Sequence, residues 1–296
     1  MRILIDGDIL VYRCGFAAEK MSYYAQLPCG KEKYFANAKS MKAWLAEHDV
    51  AYADAVVFSE REPEPVENAL YKVKSVITRM IDHAQLHLGK QVSPIVVLSG
   101  PTNLRNDVAT IKPYKGNRDK AHKPVHGEAI REYMRKRYMV VTSGNEEADD
   151  VLGCLQYNAG NWECNETVIA SIDKDLLMIP GKHYNFVKNE VHNVSMAEGD
   201  YNFFLQVLTG DSTDNIPGIK GVGPKTAEKT LQFNGNRTDW VNDITAMYRE
   251  EYGDEGADDA LTENMRLLWI RRYPDDMVST KHLLAFSAGK EEWWRG

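Results

Sequence analysis

Acidic side chains crowd one short stretch of this sequence. Residues 143–150 read Ser-Gly-Asn-Glu-Glu-Ala-Asp-Asp and carry the carboxylates of Glu146, Glu147, Asp149 and Asp150. The dipole of a following helix would stabilise each acid in its first turn by under about 1 kcal/mol. Four neighbouring carboxylates repel one another by more than that, and a bound divalent cation would offset the repulsion. The stretch therefore predicts a metal site if other carboxylates meet there.

Further acids follow apolar runs elsewhere in the chain. The run at 2–5 ends in Asp6, and the run at 167–172 ends in Asp173 and Asp175. The carboxyl ends of strands in an open α/β sheet form the edge where ligands bind, so we expect these acids beside the cluster. A helix N-cap is the alternative role for Asp6. Carboxylates without His or Cys partners favour Mg²⁺ or Mn²⁺ over zinc.

The elements that must position these acids follow from the hydrophobic periodicity. Apolar runs predict buried strands at 2–5, 94–98, 138–142 and 167–172. Helical spacing predicts helices at 36–48, 66–88, 127–137, 201–208, about 238–252 and about 258–271. A hairpin or loop is expected over 21–35. Strands that alternate with helices predict an α/β fold with a central, mostly parallel sheet flanked by helices.

A basic segment lies between the second strand and the acidic cluster. The chain carries a net charge of −7, yet six Lys and Arg against two acids give 105–123 a local balance of +4. A loop as long as 99–125 inside a compact domain is functional or disordered. Tyr114, Lys115 and Arg118 stand close together in it, which suits phosphate contact and base stacking. A solvated basic loop is the alternative.

A glycine-rich turn follows the last predicted helix of the first two hundred residues. Asp211 and Asp214 precede it, three apart, and would share one face of a helix. The turn at 219–223 leads into Pro224, which suits the first position of a helix. Its backbone N–H groups and the helix N-terminus could hold a DNA phosphate, as in helix-hairpin-helix motifs. The run 223–226 resembles a P-loop ending, but Pro224 lacks the N–H that a phosphate cradle needs.

Composition indicates a globular protein. At 296 residues, with 43% hydrophobic and 27% charged residues, the chain can form one large domain or two smaller ones. The spacing of its four cysteines is typical neither of a metal site nor of a disulfide framework. The apolar run at its N-terminus is too short for a signal peptide. No chemistry is predicted for 236–296, where Trp293 and Trp294 serve packing or contact a partner.

Together the motifs resemble the 5′-nuclease family, which comprises bacteriophage 5′→3′ exonucleases, flap endonucleases and the 5′-nuclease domain of bacterial DNA polymerase I. The resemblance covers residues 1 to about 233 and rests on motifs in family order. These are Ile-Asp-Gly at 5–7, Tyr-Lys-Gly-Asn-Arg at 114–118, Glu-Ala-Asp-Asp at 147–150, Asp-Lys-Asp at 173–175, and Gly-Asp-x-x-Asp-Asn at 210–215 before the Gly-Val-Gly turn.

The resemblance implies a PIN-like nuclease core over 1–200, with a helical arch at about 101–125, and a helix-hairpin-helix and helical region over 201–296. It implies hydrolysis of DNA phosphodiester bonds as a 5′→3′ exonuclease or 5′-flap endonuclease in phage DNA replication or primer removal. The implied cofactors are two or three Mg²⁺ or Mn²⁺ ions, with K⁺ at the hairpin. The implied partner of a monomer in the bacterial host cytoplasm is DNA with a 5′ end or flap, or an RNA–DNA hybrid.

Family roles carry over to matching positions of this sequence. The resemblance implies one metal position held by Asp6, Glu147, Asp149 and Asp150. It implies another held by Asp173, Asp175, Asp211 and Asp214. The implied phosphate-binding residues are Arg13, Lys115 and Arg118, with Tyr114 beside them, and the implied catalytic residues are Lys115, Arg118, Asp149 and Asp173. The implied duplex-binding residues are Gly221, Val222, Gly223, Lys225 and Thr226.

One departure from the family pattern keeps rival functions open. Family members carry another Asp where this chain has Ser99, Gly100 and Pro101, and we expect either a water molecule or Asp8 to take its place. The gap motivates the alternative of a catalytically impaired DNA-binding protein. A PIN-type ribonuclease would not need the turn at 219–227. A phosphatase or Mg²⁺-dependent transferase would not explain the basic segment.

Overall fold

A computed structural model describes residues 1–118, 123–158, 166–233, 235–290 and 292–295. Its strands are β1 (Arg2–Asp6), β2 (Glu19–Gln26), β3 (Glu32–Phe35), β4 (Val56–Pro63), β5 (Ser93–Leu98), β6 (Met139–Thr142), β7 (Thr167–Ala170), β8 (Gly181–Asn185), β9 (Glu190–Val194), β10 (Gly210–Asp211) and β11 (Ile216–Pro217). Its helices are α1 (Gly7–Ala17), α2 (Ala38–Glu47), α3 (Val66–Leu88), α4 (Arg105–Val108), α5 (Gly127–Arg137), α6 (Ala148–Tyr157), α7 (Met196–Thr209), α8 (Pro224–Thr230), α9 (Arg237–Leu268) and α10 (Thr280–Ser287).

The four predicted strands lie in one six-stranded sheet, which has the order β6-β5-β1-β7-β8-β9. Neighbours from β6 to β8 run parallel, and β9 runs antiparallel to β8. This confirms the α/β prediction with a mostly parallel sheet flanked by helices. Periodicity missed β8 and β9, because their polar residues form no apolar run.

The sheet delivers acids to one edge. Asp6 is the last residue of β1 and pairs with Val97 of β5, while β7 ends three residues before Asp173. Helix α1 begins at Gly7, directly after β1. A Cβ on Gly7 would lie 2.6 Å from the Val97 carbonyl oxygen, so this abrupt strand-to-helix change needs glycine.

The chain forms two compact units, and the division differs from the one predicted near residue 200. The first unit comprises Met1–Ile9, Thr78–His122 and Arg137–Gly296. In it, side chains of the sheet and of α7 to α10 share one apolar core, including Leu4, Ile169, Phe203 and Leu261. A core that continues across residue 200 leaves no domain boundary there.

The second unit comprises Leu10–Ile77 and Lys123–Lys136. Its antiparallel sheet has the order β3-β2-β4 and contains the hairpin expected over 21–35. Helix α2 covers one face of this sheet with Met41, Trp44 and Leu45.

The basic segment is less helical than the expected arch. Within 101–118 the structure forms the short helix α4 and turns, and 119–122 lie outside the described residues. Pro113 cannot donate a helical hydrogen bond, and Lys115 has a left-handed φ of 53°. Glu263 fixes the segment because its Oε1 accepts hydrogen bonds of 2.9 Å from the N–H groups of Thr110 and Ile111.

The C-terminal helices agree with the prediction of two segments. Helix α9 breaks at Gly253, where φ is 76°. Trp293 and Trp294 are 0% and 1% exposed, which decides for packing over a partner contact. In the described part of the chain, no helix has the length and apolar character needed to cross a membrane.

Candidate active site

A cavity in the first unit is lined by carboxylates from several elements. Its acidic residues are Glu147 and Asp149 at the start of α6, Asp175 after β7, and Asp211 and Asp214 after α7. Tyr114, Arg105 and Gln206 complete its polar lining. The structure therefore brings together acids that are separated by up to 67 positions in the sequence.

Asp6 and Asp173 belong to the same electrostatic cluster. The carboxylate of Asp6 accepts hydrogen bonds from the Ile9 N–H at 3.1 Å and the Ser171 hydroxyl at 2.9 Å. Burial raises the pKa of Asp6 to about 7, and the charges of Asp8 and Asp173 add to the effect. This carboxyl is thus held in place and poised to lose its proton to a cation.

The other acids show the same mutual repulsion. Burial raises the pKa of Asp149 well above its usual value, and the charges of Asp6 and Asp173 raise it further. Burial also raises the pKa of Asp175 to about 6, with contributions from Asp173 and Asp211. Carboxyl groups that raise one another's pKa in this way favour a compensating positive charge.

The donor set fits a hard divalent cation because it consists of carboxylate oxygens. As they stand, however, no three His, Cys, Asp or Glu side chains among the described residues are grouped closely enough to hold a metal ion. Basic side chains pair with several of the acids: Lys115 with Glu147, Arg118 with Asp214, and Arg105 with Asp150.

The three residues predicted to act in the basic segment contact these acids. The hydroxyl of Tyr114 lies 2.9 Å from Glu147 Oε2 and 2.7 Å from Asp214 Oδ2. The Lys115 ammonium contacts Glu147 and lies 3.5 Å from Asp214 Oδ2, and Arg118 also pairs with Asp214. Tyr114 is buried and Arg118 is exposed. Two basic side chains therefore contact acids that line the cavity.

Two loops hold Lys115 in this position. Its N–H donates to the Asp214 carbonyl at 2.8 Å. The Asn117 amide donates to the Ser212 carbonyl at 2.6 Å, and the Asn215 amide donates to the Pro113 carbonyl at 2.9 Å. These reciprocal bonds join 113–118 to 211–215, so the position of Lys115 does not depend on its own side chain.

Asp150 is predicted to be a metal ligand, but its carboxylate is surrounded by hydrogen-bond donors. It is 0% exposed, and both its oxygens accept hydrogen bonds from the Arg105 guanidinium, one at 2.9 Å. The N–H groups of Arg271 and Glu147 also donate to it, each at 3.1 Å. Burial opposes its charged form, but Arg105 holds the pKa of Asp150 below its usual range. These four donors occupy both oxygens of Asp150, which is not among the residues that line the cavity.

Asp8 contacts the segment in which this chain lacks the expected Asp. Its Oδ2 accepts a 2.9 Å hydrogen bond from the N–H of Ser99, the first residue after β5. The Ser99 hydroxyl accepts a 3.0 Å hydrogen bond from the N–H of Ala148. The carboxylate of Asp8 is therefore near the end of β5 and the start of α6, and its role as a replacement for the absent Asp stays a prediction.

The predicted duplex-binding turn is accessible. Gly221 has φ of 78°, and Gly221, Gly223, Lys225 and Thr226 are exposed, while Val222 is half-buried. Helix α8 begins at Pro224, as predicted. A cavity of about 640 Å³ adjoins the turn and is also lined by Lys112, Lys220 and Tyr252. The assignment of this turn as a helix-hairpin-helix grip stays a prediction.

Arg13 is the predicted phosphate-binding residue that lies outside the first unit. It lies exposed on α1, within the second unit, so its predicted phosphate contact stays a prediction.

Sequence analysis missed three polar residues that orient the acids. Ser171 contacts Asp6, Gln206 contacts Asp175, and the Asn103 amide donates to Glu147 at 2.9 Å. Single neutral residues carry no charge pattern or spacing. Ser171 nevertheless follows β7 directly, a position that could have marked it.

The chain is similar in sequence to several known proteins. The chain is 26% identical over 202 residues to the 5′-3′ exonuclease of Buchnera aphidicola, covering 63% of this chain and 67% of that protein. It is 36% identical over 97 residues to the DNA polymerase I of Deinococcus radiodurans, covering 30% of this chain. The chain thus spans about a tenth of that polymerase. No protein-family model matches the chain.

A solved structure shares the fold over nearly the whole chain. The bacteriophage T5 5′-exonuclease, solved with zinc ions bound, aligns over 99% of both chains with a TM-score of 0.55 and 15% identity. In sequence, this chain is similar to 5′-3′ exonucleases and flap endonucleases, and it shares the fold of the bacteriophage T5 5′-exonuclease.

Proposed function

We propose that this protein is a structure-specific 5′ nuclease that hydrolyses DNA phosphodiester bonds with divalent metal ions. The observation that carries the proposal is one cavity lined by carboxylates, with Lys115 and Arg118 in contact with those same carboxylates. A site for a phosphodiester needs both parts: acids to bind cations, and basic groups to bind the phosphate.

The carboxylates suited to hold the ions are Asp6, Glu147, Asp149, Asp173, Asp175, Asp211 and Asp214, with Asp8 beside them. We propose Mg²⁺ or Mn²⁺ because the donors are oxygens. Bound ions of this kind supply a water of lowered pKa and neutralise charge on the attacked phosphate and the leaving oxygen.

Lys115 and Arg118 bind and orient the scissile phosphate in this proposal. Both pair with Asp214 in this structure, and cations bound to the acids would weaken these pairs. Their charge then stabilises the phosphate more strongly as negative charge develops in the transition state. Tyr114 is 8% exposed, so its hydroxyl orients Glu147 and Asp214, and base stacking on its ring is excluded while the ring stays buried.

The turn at Gly221–Gly223, with Lys225 and Thr226, binds the duplex backbone away from the acids. Its exposed glycine N–H groups allow close approach of phosphates, and no base-specific group is needed. Arg13 serves as a further phosphate contact. Substrates of this class include duplex ends, 5′ flaps and RNA–DNA hybrids.

The test is cleavage of three 5′-labelled DNAs, namely a blunt duplex, a 5′ flap and a single strand. Each is incubated with Mg²⁺, with Mn²⁺ and with EDTA, and Asp173→Asn serves as the inactive control. We expect metal-dependent release of mononucleotides from the duplex or of the intact flap, and no release by the variant.

Two results would contradict the proposal. Tight DNA binding without cleavage in either metal would identify a binding protein. Cleavage of a matched single-stranded RNA in preference to every DNA would identify a ribonuclease.

A further inference from the structure

Arg105 opens the basic segment, yet it does not face a nucleic acid. It is 4% exposed, and its guanidinium donates to both oxygens of Asp150. The same guanidinium donates to the Leu267 carbonyl at 2.9 Å and to the Trp269 carbonyl at 2.7 Å. Burial by itself would lower the pKa of Arg105, but the charge of Asp150 raises it, so the pair stays ionised. All these contacts lie within the first unit.

Asp150 links Arg105 to the acidic cluster through hydrogen bonds. It is the third residue of α6, and its carboxylate accepts from the N–H of Glu147, the N-cap of that helix. It also accepts from the N–H of Arg271, whose side chain pairs with Glu146 at 2.9 Å. The first turn of α6 is therefore bonded to 267–271 on both sides of Glu147.

We infer that Arg105 and Asp150 are positioning residues that fix the first turn of α6, so that Glu147 and Asp149 face the cavity. Asp149 lies between Glu147 and Asp150 on that turn, and its side chain lines the cavity. The inference rests on the proposed function, because it assigns these two residues to the support of the metal site. It also gives a role to 267–271, a segment without predicted chemistry.

A rigid template is required for this role, and the C-terminal segment provides one. The centroid of the Trp269 ring lies 4.9 Å from that of Phe203 and 5.4 Å from that of Trp293. Its carbonyl therefore presents a fixed acceptor to Arg105. Groups that orient metal ligands typically change metal affinity 10–100-fold when removed.

The experiment compares Arg105→Met, Asp150→Asn and the double variant in the full-length protein. Mn²⁺ binding is followed by electron paramagnetic resonance, cleavage by single-turnover kinetics at saturating DNA, and folding by thermal unfolding. Arg135→Met is the matched control, because Arg135 pairs with Glu128 and Glu132 in the second unit.

We expect each single variant to keep the number of Mn²⁺ sites while weakening their affinity about 10–100-fold. The single-turnover rate should fall by about the same factor with little change in DNA affinity. The double variant should lose no more than the worse single variant, since both act through one contact. Arg105→Lys should fold yet fail to restore the rate, because lysine cannot donate to both oxygens as a guanidinium does.

Two outcomes would overturn the inference. If Asp150→Asn loses one Mn²⁺ ion and Arg105→Met loses none, Asp150 is a ligand. If all variants melt earlier but bind Mn²⁺ and cleave as the unmodified protein does, the pair is only structural. Failure of the proposed function is distinguishable, because an unmodified protein that does not cleave still reports Mn²⁺ number and affinity.

Discussion

Replacement of Trp293 by alanine tests whether the C-terminus is part of the core of the first unit. Trp293 is 0% exposed. The centroid of its ring lies 5.5 Å from that of Phe204, 5.4 Å from that of Trp269 and 5.3 Å from that of Phe286. Its indole N–H donates to Asp200 Oδ1 at 3.2 Å. The substitution removes a large ring from a closed aromatic cluster and leaves a cavity.

The expected cost follows from these contacts. Truncation of a buried Trp to Ala costs about 3–5 kcal/mol. Asp200 keeps its 3.3 Å bond to Arg272, so the lost hydrogen bond adds only about 1 kcal/mol. Since about 1 kcal/mol shifts the midpoint of thermal unfolding by roughly 2–4 °C in a chain of this size, we expect a fall of roughly 8 °C or more.

Thermal unfolding by circular dichroism and urea unfolding measure this change. Trp293→Phe should lose about 1–2 kcal/mol, because most of the ring volume remains while the N–H is lost. Leu284→Ala is the control: Leu284 is 77% exposed on α10, and its loss should change stability by about 0.5 kcal/mol or less. A cost below about 1 kcal/mol for Trp293→Ala would refute the packing of the C-terminus into this core.

Four further predictions concern the site, the duplex grip and the pH response. Asp173→Asn should abolish cleavage and leave duplex affinity nearly unchanged, as measured by fluorescence anisotropy. Lys115→Ala should lower the single-turnover rate by about 10²–10³ and affect binding much less; an unchanged rate would remove its assigned role. Lys225→Ala should weaken binding to all duplex sequences alike and reduce the slope of log affinity against log salt by about 1. Burial lowers the pKa of His183 from 6.5 to about 4, so the unfolded state binds more protons between these values. The contribution of His183 to the free energy of unfolding should therefore fall by about 2 kcal/mol from pH 7 to pH 5. The raised pKa values of Asp6 and Asp175 act in the opposite direction, so the measurement is the difference between two urea titrations: over this range the unmodified protein should lose about 2 kcal/mol relative to His183→Gln.

Much of the fold could be predicted because local signals agree with the tertiary result. Apolar runs located β1, β5, β6 and β7, and the spacing of Val73, Ile77, Met80 and Ala84 predicted α3 with its observed bounds. Strands β4, β8 and β9 escaped prediction because their residues are polar or exposed. Such strands form through pairing with a neighbour, and pairing is not a local property.

The candidate site was predictable in composition but not in arrangement. Acids at the ends of apolar runs marked Asp6, Asp149 and Asp173, because parallel strands bring their carboxyl ends to one edge. The sequence could not separate Asp150 from its neighbour Asp149, since both stand in the same motif.

The tertiary structure alone decided between these two neighbours. Asp150 faces Arg105, which lies 45 positions away in the sequence, while Asp149 lines the cavity. A helix turns adjacent side chains about 100° apart, so neighbours in one motif meet different surroundings. The residue types and their order therefore determined the kind of chemistry, whereas long-range packing determined which carboxylates are available for it.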